Sequence, residues 1–194
     1  MNKSRLEAFS DGVIAIIITI MVLEMKVPHD PSLAGLVKIA PVFLSYVLSF
    51  VYVAIYWVNH HHMLHAVKHV NASSLWANIH LLFWLSIVPF VTGWMGENHF
   101  AQWPVFADAV VMLCAAIAFT ILARTLIAAN GGAQSNLARA LGGDRKGKLS
   151  IVVYIASIAA SFAHPLAACA GFVIVAVIWL VPDRRIERIL RDER

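Results

Sequence analysis

Arg5, Glu7, Ser10 and Asp11 crowd the entrance of a run that is otherwise apolar from Val13 to Leu23, with Glu24 behind it. Ionisable groups at such a position are costly when lipid surrounds them, so they pair, line a water-filled path or relay protons. The plainer alternative leaves Arg5 and Glu7 solvated in a cytoplasmic anchor. A helix turns about 100° per residue. That puts Arg5, Phe9, Gly12, Ile16, Thr19, Ile20 and Leu23 on one broad face and Asp11 well away from it. If Ile16 lines a central pathway, Asp11 packs against a neighbouring helix and holds this one in place.

A second candidate is the histidine group His60, His61, His62, His65 and His69, whose i, i+3 and i, i+4 pairs could present nitrogens to one metal ion. Histidine-box membrane enzymes need several such groups or added carboxylates, and His29, His80, His99 and His164 are isolated. Interfacial histidines without a metal are the preferred reading. No serine nucleophile elbow, phosphate-binding glycine loop or paired-carboxylate motif appears, so catalysis has little support. Cys114 and Cys169 lie in apolar runs and read as small hydrophobes.

The elements that must position these residues follow from composition. With 60% hydrophobic and 13% charged residues, the chain has too few polar side chains to cover a water-facing surface. Its solvent is lipid, and 194 residues make one bundle. Six spans are expected: about Ser4 to Val27, opened by the capping box Ser4-Arg5-Leu6-Glu7 and closed by Pro28; Lys38 to His65; Ala72 to Gly96, with Asn78, His80, Ser86 and Pro89; Trp103 to Ala129, stopped by Asn130-Gly131-Gly132; Leu149 to Ala163; and Leu166 to Val181. The last two are short enough to form one bent helix instead. No cleavage site follows the first apolar stretch, which is read as a retained helix.

These spans set thirteen Lys and Arg residues on one side of the bilayer and only Lys26 and Lys38 on the other. Positively charged loops stay cytoplasmic, so both termini are expected there. The formal charge of +4 sits in loops and tails and not on a folded basic face, which argues against nucleic acid as a partner.

The pattern Arg5-x-x-x-Phe9-Ser10-Asp11-Gly12 at the start of the first helix resembles the signature of the transmembrane protein 175 family of potassium channels. Tyr56-Trp57-x-x-His60-His61 and Leu85-Ser86-Ile87-Val88-Pro89-Phe90 are similar to that family too, so the resemblance covers the first three spans. It implies an all-α single-repeat prokaryotic member, residues 1–194 forming one six-helix transmembrane channel domain in the cell (inner) membrane. It implies a homotetramer that passes monovalent cations, with K+ the permeating ion, no cofactor, and the first helix of each subunit around one pore. By position, Ile16 becomes a hydrophobic constriction and gate, Ile20 and Leu23 further rings, and Thr19 a polar ring beside them. Arg5, Phe9, Ser10 and Asp11 become a structural and gating network, with Trp57, His61 and His80 as its expected partners. A proton-coupled carrier using Asp11, Glu24 and the histidines, and a membrane metalloenzyme or haem protein on the histidine group, are the competing expectations.

Overall fold

A computed structural model describes residues 3–23 and 25–180 of the chain. Among them the apolar runs form helices α1 (Lys3–Leu23), α2 (Leu33–Lys38), α3 (Ala40–His65), α4 (Ala72–Glu97), α5 (Gln102–Ala129), α6 (Asn136–Leu141), α7 (Arg145–Ser161) and α8 (Pro165–Leu180), with a single 3-10 turn at Gly132–Gln134. In hydrocarbon each backbone amide must be satisfied inside its own segment, which is why apolar runs this long become helices. Four of them, α1, α3, α4 and α5, are long and apolar enough to cross a membrane, and α8 is a shorter apolar helix.

The boundaries follow local chemistry. α1 begins at Lys3, so Ser4 lies inside it, and Glu7 pairs with Lys3 at 3.8 Å. It ends at Leu23, four residues short of the expected Val27, and Glu24 lies outside the described residues. Beyond Pro28, Asp30 accepts a bond from the Ser32 amide at 3.0 Å, and the Ser32 side chain first, with this amide second, holds its carboxyl below the usual range. Ser32 in turn caps α2, a six-residue helix that hydropathy alone did not suggest. Asn71 caps α4 by accepting from the Ser74 amide. Gly131 and Gly132, at φ of +100° and +61°, end α5 where the left-handed conformation is needed. α7 starts at Arg145, four residues before the expected Leu149, because Asp144 accepts from the Gly147 amide and caps it.

The helices stack up and down. Ser49 and Thr92 share a hydroxyl hydrogen bond of 2.6 Å across α3 and α4, and a Cβ on Gly96 would lie 2.8 Å from the Val42 Cα, so these two helices run antiparallel and nearly touch. α7 and α8 form a separate antiparallel hairpin and not one bent helix. The Trp179 indole donates to Ser150, Tyr154 meets Phe172, and Gly171 leaves room for the Ser157 hydroxyl. The Tyr52 hydroxyl donates to the Phe172 carbonyl and joins this hairpin to α3. At one end of the bundle Lys3 donates to the Val67 carbonyl, while the Asn130 carboxamide binds the backbone of Lys68 and His69. In the core between α3, α5 and the hairpin, Asp108 is only 5% exposed and its Oδ1 has no hydrogen-bond partner among the described residues.

Candidate functional site

α1 has two faces with opposite surroundings. Leu6, Ser10, Ile14, Ile17 and Met21, spaced three and four residues apart, are buried against α3 and α4. Phe9, Ile16, Ile20 and Leu23 are 57%, 60%, 42% and 75% exposed. Thr19 is exposed with them, and its hydroxyl donates to the Ala15 carbonyl at 2.9 Å, which leaves its oxygen able to accept. Arg5, at the entrance, is exposed and makes no hydrogen bond or ion pair among the described residues. One helix therefore packs one stripe into the bundle and turns its most exposed isoleucine, Ile16, away from it.

A groove runs beside that outward face. Val13, Ile16 and Ile20 of α1 line it with Pro89, Phe90 and Trp94 of α4, and Glu97 lies at its far end. Lys26 pairs with Glu97 at 2.9 Å there. Exposed apolar surface of this extent in a membrane protein meets lipid tails or another subunit.

The polar residues of α1 sort into two sets. Ser10, fully buried, donates to the Leu6 carbonyl at 2.8 Å and accepts from the Asn78 amide at 2.9 Å. Asn78 Oδ1 accepts from His60 Nε2 at 2.7 Å, completing a buried chain through α1, α4 and α3. Each member fills polar valences that lipid could not. Asp11 belongs to a second, more exposed set. The Trp57 indole donates to its Oδ1 at 2.9 Å, and His61 stacks on that indole with ring centres 5.9 Å apart. Asp11 thus bonds across to α3, while Ile16 on the same helix points out of the bundle.

His80 does not join either set; it accepts from the Trp84 indole one turn along α4 at 2.9 Å. Asn78 and His60 are the partners that sequence reasoning left out of the network. The signal was present, because a helical hairpin centred on position 69 sets 60 opposite 78, and an asparagine in a lipid span must find a partner. The histidines also point to different tasks: His60 into Asn78, His61 onto Trp57 and towards His65 at 5.3 Å. Among the described residues no group of three or more His, Cys, Asp or Glu side chains is arranged to hold a metal ion.

Comparison with known proteins bears on what such a stripe and network serve. Residues 5–89 match the family model described as endosomal/lysosomal potassium channel TMEM175. A potassium channel of Chryseobacterium sp. is 53% identical over 192 residues, covering 99% of this chain and all of that one. The crystal structure of a lysosomal potassium-selective channel TMEM175 homolog from Chamaesiphon minutus superposes with a TM-score of 0.82 at 26% identity, covering 93% of this chain and 97% of that one. The human endosomal/lysosomal proton channel TMEM175 is 37% identical over 97 residues, 43% of this chain but 19% of that protein. Identity above one half, sustained from end to end, places the two chains in one family, and the chain belongs to the TMEM175 family.

Proposed function

We propose that this chain is one subunit of a homotetrameric, potassium-selective channel of the cell (inner) membrane, its pore lined by α1 of each subunit with Ile16 at the constriction. The observation that carries this is the outward stripe of Ile16, Thr19, Ile20 and Leu23 on a helix whose other side is packed. The relatives named as potassium channels support the choice of ion.

Six spans are α1, α3, α4, α5, α7 and α8. At about 1.5 Å per residue, the 17 residues of α7 and the 16 of α8 reach roughly 25 Å, close to the hydrocarbon thickness, whereas α2 is far too short. Of the ten described Lys and Arg residues, only Lys26 and Lys38 lie away from the end that gathers Lys3, Lys68 and the segment around Lys146. That end is cytoplasmic by the bias of positive loops, and with it the N-terminus and the start of α7. The arginine tail from 184 to 194, expected from its charge on that same side, lies outside the described residues.

Four Ile16 side chains around an axis strip part of the water from a passing ion. The larger K+ holds that water more weakly than Na+, so the penalty favours it, and the ring closes the path by dewetting when it narrows. Thr19 oxygens offset part of the dehydration. Ser10 and Asp11 hold α1 at its angle through Asn78, His60, Trp57 and His61, while Arg5 and Phe9, exposed on the outward side of the entrance, act in gating at the contact between subunits. No cofactor enters this mechanism.

The test is a recording from liposomes with opposed K+ and Na+ gradients. A reversal potential near that of K+, with Ile16→Asn raising conductance and lowering K+ preference, is expected. Unchanged flux and selectivity in that variant would remove Ile16 from the role. Vertebrate relatives named proton channels favour proton permeation as the second reading, and a reversal potential that follows the pH gradient would select it.

A further inference from the structure

Among the described residues that line the groove beside α1, Glu97 alone carries a charge, and it stands at the C-terminal end of α4. The walls that lead up to it are apolar, with Ile16 and Ile20 on one side and Phe90 and Trp94 on the other. α1 and α4 run side by side in the same direction, because Asn78 is bonded to Ser10 near one end and Glu97 to Lys26, just past α1, at the other. Carried along these two pairings, Glu97 stands beyond the level of Ile16 by roughly 15–20 Å, at a rise of about 1.5 Å per residue.

A carboxylate so placed is open to passing ions. Its side chain is 51% exposed and that of Lys26, its partner at 2.9 Å, is 84% exposed. Ion pairs this wet are worth only about 0–1 kcal/mol, so a hydrated cation competes for Glu97 on nearly equal terms. Its reach is short, however. Across 15–20 Å of water two unit charges interact by only about 0.2–0.3 kcal/mol even before salt screens them. Glu97 therefore cannot tilt the dehydration of an ion held at Ile16. What it can change is how many cations wait at the opening, because like charges gathered round a cleft raise the local concentration of counter-ions.

We infer that Glu97, repeated around the axis, collects cations at the mouth of the permeation path on the Leu23 side and sets the rate of ion entry but not the choice between K+ and Na+, a role that rests on the reading of α1 as the pore lining. Lys26 tempers it by standing beside the carboxylate. A merely structural clamp between the same two side chains makes a different demand. In a clamp the loss of either partner weakens the same contact, so both changes act in one direction. In a field the anion and the cation oppose each other, so their removal acts in opposite directions.

Conductance of the full chain in planar bilayers tests this, measured in KCl at about 0.01 M, where a charge is felt over about 30 Å, and at about 1 M, where it is felt over about 3 Å. Glu97→Gln should lower the low-salt conductance about twofold or more and leave the high-salt value unchanged. Lys26→Gln should raise the low-salt value. In both variants the reversal potential under opposed K+ and Na+ gradients should stay where it is. A loss in Glu97→Gln that persists at high salt, a fall or no change in Lys26→Gln, or a shifted reversal potential would overturn the role. Unchanged conductance in Glu97→Gln while Ile16→Asn still alters it would overturn the role alone; if neither substitution matters, the pore lining fails and the role with it. Should Glu97→Gln not assemble, the sign of the Lys26→Gln effect decides.

Discussion

The Asn78 side-chain amide donates to the Ser10 hydroxyl at 2.9 Å, with both residues wholly buried, and so fastens the first helix to α4. Two helices in lipid gain nothing from hiding apolar surface from each other, since the tails are as apolar as leucine. Packing and hydrogen bonds decide their association instead. The chain from Ser10 through Asn78 to His60 is therefore a principal determinant of the angle at which α1 stands.

Asn78→Ala leaves the buried His60 N–H without its acceptor and is expected to cost about 1–3 kcal/mol. Ser10→Ala removes one link at the end and is expected to cost about 0.5–1.5 kcal/mol, because no buried donor is stranded beyond the Asn78 amide. Thermal unfolding in detergent measures both. Equal losses from the two changes would mean that Asn78 is not the centre of the chain.

Asp11 and Trp57 predict a different ranking. An asparagine at position 11 can still accept from the indole, so Asp11→Asn should cost under about 1 kcal/mol, all the more since the pair is exposed. Asp11→Leu removes the acceptor, frees Trp57 and His61 to swing, and should reduce the assembled fraction on size exclusion more than Asp11→Asn does. If the asparagine variant falls apart as readily as the leucine variant, the negative charge and not the hydrogen bond is what α1 requires.

Asp108 offers the converse case. Its Oδ1 is buried without a partner among the described residues, a state that costs stability. Asp108→Asn should therefore melt no lower than the parent protein. A large loss would reveal a partner for this carboxylate, and would move it from the ledger of structural liabilities to that of functional groups.

Much of this arrangement could be read from the residues. The stripe from Phe9 to Leu23 follows from helical periodicity, and the break at Asn130-Gly131-Gly132 from the conformations glycine permits. The separation of Asp11 from Ile16 follows from 100° per residue. What periodicity cannot give is pairing between helices: it set Trp57 and His61 near α1 only through family resemblance, misplaced His80, which bonds along its own helix to Trp84, and left Asn78 to His60 unassigned. Helix ends depart from hydropathy where capping outweighs it, as at Asp144, whose bond to Gly147 starts α7 inside a polar segment. Ser32 starts α2 in the same way.

Gly96 carries the last prediction. A Cβ there would lie 2.8 Å from the Val42 Cα and 3.0 Å from the Ser45 hydroxyl oxygen, at the point where α3 and α4 nearly touch. Side chains can rotate away from an intruding methyl, but the nearer atom is main chain, and moving it means moving the helix. Gly96→Ala should accordingly cost about 1–3 kcal/mol in thermal unfolding, even though alanine is the better helix former. Adding Ser45→Gly removes the hydroxyl contact and leaves the Val42 backbone where it is, so the double variant should recover little of the loss. Full rescue by Ser45→Gly would show that the two helices have room to part, and that their close approach is a consequence of Ser45 and not of Gly96.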